Sequence, residues 1–193
     1  MVTMPPTPRA KTTAIERLLD YIALGLLVSG PSHGYELYQD FVEHFGAVWQ
    51  AGRSKFYATL ADLQAAGYLD ATTEPQQDRP PRKVYRLTEA GRAAFDRWLT
   101  EPVQAPRDVR VAIPVKLRLF DMLAIKGADR LLDAQIASCQ ARLDREARRP
   151  EAGHPAEDDL FEDVLHEFRR RQLLAMIGWL NYCKARFGQA AST

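Results

Sequence analysis

Apolar side chains recur every three or four residues along most of the chain, a spacing that predicts α-helices. The first predicted helix begins at Thr13, which stands at capping-box spacing from Glu16, and it ends before Gly30-Pro31. Ser32 is the predicted cap of a second helix that continues to Gly46. A mainly helical first half is therefore expected.

A third predicted helix extends from Gly52 to Gly67 and has two different sides. Phe56, Leu60 and Leu63 fall on one side, which should pack on a core. The opposite side carries short side chains apart from one lysine: Ser54, Lys55, Ala58, Ala61, Asp62 and Ala65. Because nothing bulky projects from this side, the helix can enter a concave partner such as a DNA major groove.

After this helix the pattern becomes alternating, which predicts a β-hairpin from Tyr68–Thr73 and Val84–Leu87. Val48-Trp49 is predicted to add a short strand. The long, proline-broken connection between the two strands reads as the projecting loop of a wing. From Arg79 to Arg86 there are four basic residues and no acidic one. A helix that can fit a DNA major groove, followed by a basic loop, indicates a winged helix-turn-helix.

The remaining helices complete the predicted organisation. One begins after the cap residue Thr88 and stops at Pro102, and Pro114 is predicted in the first turn of another. The last two span about residues 129–149 and 158–187. The predicted domains are a disordered tail (1–12), the winged helix (13–101), a linker (102–111), a helical dimerisation and effector domain (112–188) and a second tail (189–193).

The predicted DNA contacts come from the third helix and the wing. Ser54 and Lys55 are expected near base edges, Ala58 near a thymine methyl group, and Arg53 and Tyr57 near phosphates. Thr59 and Tyr35 are as consistent with local packing as with phosphate contacts. The wing residues Arg79, Arg82 and Lys83 are expected on the DNA backbone or in the minor groove.

Charge leaves a second interpretation open. The formal net charge is +1, and residues 1 to 101 hold 11 lysines and arginines against 12 aspartates and glutamates, net −1. DNA affinity must then come from charge segregated onto one face. The alternative is a winged-helix module that binds proteins or sequesters small molecules without binding DNA. A steep loss of DNA binding with salt would favour the regulator.

Other classes of protein find little support in the sequence. Cys139 and Cys183 are predicted to be buried or half-buried thiols of a cytoplasmic protein, and no apolar run has the roughly 20 residues of a membrane span. No glycine-rich phosphate loop or recognisable nucleophile is present. Glu162 and His166 have no third convergent ligand, so neither a metal site nor another cofactor is expected.

Three blocks of sequence resemble the PadR-like family of transcriptional regulators. The blocks are Leu24–Leu27 with Gly30–Leu37, Phe56–Leu60 with Leu63, Gly67 and Leu69, and Arg79–Gly91. The resemblance implies a homodimer, usually a repressor, that often releases DNA when a phenolic or other planar hydrophobic compound binds. Asp78, Ala58, Ala61 and Asp62 depart from the usual pattern, which bears on operator sequence and affinity.

The long last helix carries more apolar positions than one protomer can cover, so a partner helix from an identical subunit is expected. The predicted dimer interface consists of Phe161, Leu165, Phe168, Ile177, Leu180 and Phe187. Aromatic residues at helical spacing are usually core, but a hydrophobic effector pocket is the alternative for Trp98, Met176, Trp179 and Tyr182.

Overall fold

The computed structural model describes residues 17–75, 82–148 and 160–190. The chain divides into two compact units, the first formed by residues 1–101 with 111–126 and the second by residues 102–110 with 127–193. The predicted start of the first helix at Thr13, the tail 1–12 and the wing residue Arg79 lie outside the described residues.

The first unit is built on three helices, α1 (Leu18–Leu26), α2 (Gly34–Phe45) and α3 (Arg53–Ala65). Their apolar stripes meet in one core, as the periodicity predicts. The predicted cap Ser32 is wrong by one position, because His33 is the N-cap of α2. Its backbone N–H donates to the Glu36 carboxylate at 3.3 Å, while the Ser32 hydroxyl donates to the same carboxylate at 3.1 Å.

A three-stranded antiparallel sheet flanks these helices. It consists of β1 (Ser32–His33), β2 (Leu69–Glu74) and β3 (Arg82–Leu87) in the order β1-β3-β2. The hairpin prediction is confirmed, with Glu74 opposite Arg82 at its tip. The prediction for Val48-Trp49 is wrong, because Ser32 and His33 pair with Tyr85 and Val84. Which segment pairs with β3 depends on tertiary contacts. The alternation of apolar and polar residues within one segment does not predict this pairing.

Helix α4 (Glu89–Thr100) packs on α1 and completes the unit. Thr88 caps it as predicted, because the hydroxyl oxygen accepts from the N–H of Gly91 at 3.0 Å. The same hydroxyl donates to the carbonyl oxygen of Gly67 at 2.8 Å, so the cap also holds the end of α3. Gly91 lies directly against the carbonyl oxygen of Tyr68, where a side chain has no room.

Helix α5 (Pro106–Met122) is longer than the sequence suggests. Pro114 lies inside it and not in its first turn, so residues 106–111 of the predicted linker are helical. Lys116 of this helix is 2% exposed. Its ammonium group donates to the carbonyl oxygens of Trp98 and Glu101 at the C-terminal end of α4, and it lies 4.8 Å from the centroid of the Trp98 ring. A buried cation thus completes the end of α4.

The second unit contains α6 (Ala128–Ala147) and α7 (Leu160–Ala190), which pack along each other. Helix α7 includes the first two residues of the predicted tail 189–193. Gln135 of α6 holds the segment before α5, accepting from the N–H of Val103 at 2.6 Å and donating to its carbonyl oxygen at 3.1 Å. Both cysteines are buried free thiols, as predicted. Within the described ranges, no helix is long and apolar enough to cross a membrane.

Candidate nucleic-acid interface

Helix α3 presents the two sides that its sequence predicts. Phe56, Leu60 and Leu63 are buried in the core of the first unit. The short residues of the opposite side are all exposed: Ser54, Ala58, Ala61, Asp62 and Ala65. Lys55 is exposed among them, so the face open to a partner is low in relief and carries one cation.

Thr59 does not belong to this face. It is 3% exposed and lies with the buried residues of α3, so the structure favours local packing, one of its two predicted roles, over a phosphate contact. Helical geometry explains this, because position 59 is three residues after Phe56 and four before Leu63, which places it beside the apolar stripe. A threonine is short enough to be buried there.

Arg53, the first residue of α3, lies against two tyrosines of α2. Its guanidinium carbon is 5.8 Å from the ring centroid of Tyr35 and 5.3 Å from that of Tyr38. The Tyr38 hydroxyl in turn donates to the carbonyl oxygen of Ala51 at 3.5 Å, just before α3. These cation–π contacts restrict an exposed arginine and hold its charge at the start of the helix.

The wing and α3 share one groove. Tyr57 of α3 and Arg82 and Lys83 of β3 line an open depression of about 430 Å³ together with the first turn of α2. The close approach depends on Gly34, where an added Cβ would lie 2.8 Å from Cε1 of Tyr57 and 3.2 Å from Cε2 of Tyr85. Helix and hairpin therefore offer aromatic and basic groups to the same volume.

An acidic group lies behind the basic end of α3. The pKa of the Asp20 carboxyl group on α1 is raised to about 6, mainly by burial and slightly by Asp62, whereas Arg17 and Lys55 oppose the rise. The charge of Lys55 is thus partly compensated by an acid of the neighbouring helix.

The predicted effector residues are distributed over both units. Trp98 lies in the first unit, stacked on Tyr21 at 4.6 Å between ring centroids. The other three are on α7: Met176 is half-buried with its sulfur 3.7 Å from that of Cys139, Trp179 is half-buried, and Tyr182 is 63% exposed.

The predicted dimer residues on α7 differ in their exposure. Phe161 and Phe168 are 68% and 54% exposed. Leu165, Ile177 and Phe187 are half-buried. Leu180 is 0% exposed and therefore has no free surface for a second subunit. Its assignment to the interface is wrong because it belongs to the core of its own unit.

Residues 23–97 match the model of the transcriptional regulator PadR-like family. The negative transcriptional regulator PadR of Bacillus subtilis is 31% identical over 127 residues, an alignment that covers 66% of this chain and 70% of that protein. The chain belongs to the PadR-like family of transcriptional regulators. It is accordingly a transcriptional regulator and not an enzyme, as the sequence predicts.

Further relatives of this PadR-like regulator have lower coverage or similarity. A probable transcriptional regulator of Mycobacterium tuberculosis is 36% identical over 92 residues, covering 48% of this chain and 49% of that protein. The solved structure of Bacillus subtilis PadR in complex with operator DNA aligns over 88% of this chain and 98% of that chain, with 24% identity and a TM-score of 0.45. At this score the alignment adds nothing to the family assignment.

Two residues of the PadR-like interface region, His33 and Glu36, escaped the prediction from sequence. They line the shared groove with Tyr35, whose ring centroid also lies 5.8 Å from the guanidinium carbon of Arg53. The signal for this part of α2 was the spacing of Tyr35 and Tyr38, which sets two aromatic rings one turn apart. Which helix those rings face is decided by the packing of α2 on α3.

Proposed function

We propose that this PadR-like regulator is a homodimeric repressor that binds a pseudo-palindromic operator. The observation that carries the proposal is the shared groove, in which Tyr57 of α3 lies beside Arg82 and Lys83 of the wing. One α3 helix of each protomer would enter the major groove, at half-sites about 34 to 36 Å apart.

Each exposed residue has a proposed role at the duplex. Ser54 and Lys55 contact base edges, and Ala58 packs on a thymine methyl group. Arg53, held by its tyrosines, and Tyr57 contact phosphates. Arg82 and Lys83 grip the backbone beside the helix, a contact that carries affinity more than sequence preference.

Dimerisation is proposed through the second unit. The start of α7 exposes a row of large apolar side chains, with Leu160 at 71%, Phe161 at 68%, Val164 at 59% and Phe168 at 54% exposure. Such a contiguous apolar surface favours association with a second copy.

Repression is proposed because the Bacillus subtilis relative is a negative regulator. Release from DNA by a small hydrophobic or phenolic effector is carried over from the family, and the site of action is the cytoplasm.

Neutralising Lys83 tests the shared interface. We expect Lys83→Gln to weaken binding to the chain's own upstream DNA and to unrelated DNA by the same factor, because a phosphate contact carries no base information. The slope of log affinity against log salt should become shallower by about one. Fluorescence anisotropy over a salt series measures both.

The matched control is Lys126→Gln, which removes one charge from an exposed lysine beyond α5 and outside the proposed interface. It should leave the salt slope unchanged. A changed base preference in Lys83→Gln would mean that the wing reads sequence. A slope near zero in the unaltered protein would contradict DNA binding by this face.

A further inference from the structure

A cleft of about 520 Å³ lies within the second unit, in the size range of small-molecule sites. Helices α6 and α7 and the first residue of α5 supply its lining: Pro106, Arg142, Arg145, Glu146, Arg169, Gln172 and Leu173. Three guanidinium groups against one carboxylate give this lining a net charge of +2. The cleft therefore attracts anions.

The three arginines of the cleft have no acidic partner within salt-bridge distance in the described part of the chain. The neighbouring Arg170 and Arg171, by contrast, both pair with Glu167, at 2.7 and 2.6 Å. The guanidinium of Arg142 donates to the carbonyl oxygen of Gln104 at 2.6 Å, which fixes it at the cleft. Arg145 lies in the last turn of α6 and can stabilise that helix end, but this does not account for Arg169 on α7.

The number of arginines distinguishes one class of anion from another. A carboxylate has a single charge, and one guanidinium can satisfy it through two parallel hydrogen bonds. A phosphate monoester carries about −1.5 to −2 charges at pH 7 and has three strong acceptor oxygens, so it can accept from several arginines at once. Its charge also balances the +2 of the lining. The cleft thus matches a phosphate monoester better than a carboxylate.

Glu146 adds a second requirement. Nε2 of His166 on α7 donates to the carbonyl oxygen of Glu146 at 3.3 Å, which holds this turn of α6 against α7. The side-chain atom Oε2 of Glu146 is buried and accepts no hydrogen bond from any residue that the structure describes. A buried acceptor without a donor costs free energy, which a hydroxyl group of an occupant would recover. A carboxylate is also the group that commonly accepts from the hydroxyls of a ribose.

We propose that this cleft binds a phosphorylated sugar, either free or as part of a nucleotide. The phosphate lies on the three arginines, a sugar hydroxyl donates to Oε2 of Glu146, and Pro106 and Leu173 contact the apolar face of the ligand. The site lies in the second unit and goes beyond the proposed function, because it does not require DNA.

Calorimetry on the full-length protein, in buffer without phosphate or sulfate, tests the ligand class. The probes are adenosine monophosphate, ribose 5-phosphate and adenosine, which lacks the phosphate. We expect both phosphorylated probes to bind and adenosine to bind about a hundredfold more weakly, as for the loss of two charge-assisted hydrogen bonds. Tighter binding of adenosine monophosphate than of ribose 5-phosphate would assign a nucleotide, and equal binding would assign a sugar phosphate.

Two variants test the arginines. Arg145→Gln and Arg169→Gln should each weaken ribose 5-phosphate by about tenfold, as for the loss of one charge-assisted hydrogen bond. Arg171→Gln is the matched control, because it removes the same charge from the same helix as Arg169→Gln but outside the cleft. It should bind like the unaltered protein. A general effect of net charge would instead weaken all three variants alike and would overturn the site.

The hydroxyl requirement has its own pair of probes. The unaltered protein should prefer adenosine monophosphate over its 2′,3′-dideoxy analogue, which lacks both ribose hydroxyls. Glu146→Met removes the acceptor, so this preference should fall to about one. The dideoxy analogue should bind the variant more tightly than it binds the unaltered protein, because a negative charge has left the cleft. Damage to the fold would weaken both probes, and circular dichroism on each variant verifies that the helices are retained.

Two results would overturn the proposal: no binding of either phosphorylated probe, or adenosine binding as tightly as adenosine monophosphate. Because these titrations contain no DNA, their outcome is independent of the proposed operator binding. Anisotropy on upstream DNA tests that function separately, so a failure of one can be told from a failure of the other.

Discussion

Asp20 shows how burial of one side chain sets the pH response of the winged-helix unit. Its pKa rises from the ordinary 3.8 to about 6, mainly because the carboxylate is partly removed from water. Between these two values the folded protein binds more protons at this group than the unfolded chain does. Its contribution is therefore fully present below about pH 4 and is lost as the pH rises through 6.

We expect Asp20→Asn to remove this fall in stability. An amide resembles the protonated carboxyl group, so the variant should be about 1 to 2 kcal/mol more stable at pH 7.5, after allowance for solvent screening, and nearly unchanged at pH 4. Urea unfolding at the two pH values measures the difference. Asp70→Asn, an exposed position on β2, is the control. A loss of stability at pH 7.5 would mean that Arg17 and Lys55 outweigh the burial of the charge.

Contact between elements depends in places on the absence of a side chain. Helix α4 approaches the end of α3 at Gly91, where an added Cβ would lie 2.2 Å from the carbonyl oxygen of Tyr68 and 2.9 Å from Cδ1 of Leu87. Because the first neighbour is backbone, it cannot yield by a rotamer change. The position of the hairpin relative to α4 is therefore fixed by one glycine.

Gly91→Ala should separate α4 from the hairpin. We expect a loss of about 3 kcal/mol in the free energy of unfolding, the cost of overpacking against rigid backbone. Chemical denaturation measures it. Ala90→Ser changes the adjacent exposed position of the same helix and should stay within about 0.5 kcal/mol. An unaltered midpoint for Gly91→Ala would show that α4 can shift without cost.

For the whole molecule, the exposed start of α7 is the surface at which we propose that two protomers join. Phe161 and Phe168 lie seven residues apart, two helical turns, and together they form a stripe that a second copy could cover. In the proposed function, two operator half-sites require two winged helices held together, so we expect operator affinity to depend on this stripe.

Replacing Phe161 and Phe168 together by glutamate should give a monomer. In a dimer the two carboxylates would be buried without partners. The free-energy cost of removing them from water would exceed the stabilisation that the apolar contact provides. Analytical ultracentrifugation measures the association state, and anisotropy should show a preference for a full operator over a half-site only in the unaltered protein. Ala141→Glu places a charge on an exposed position of α6 and should leave the dimer intact. A dimer that survives both glutamates would locate the interface elsewhere.

The sequence by itself determined the family, the helical character, the hairpin and the two sides of α3. These features depend on the spacing of apolar residues and on helix caps, which involve residues close together in the chain. Phe56 and Leu60 illustrate the helical spacing, and Thr88 illustrates a cap. Tertiary structure decided the pairing of Ser32-His33 with β3, the helical start at Pro106 and the burial of Lys116. Each of these depends on contact with a segment that is distant in the chain. The spacing of residues within one segment does not predict such contacts.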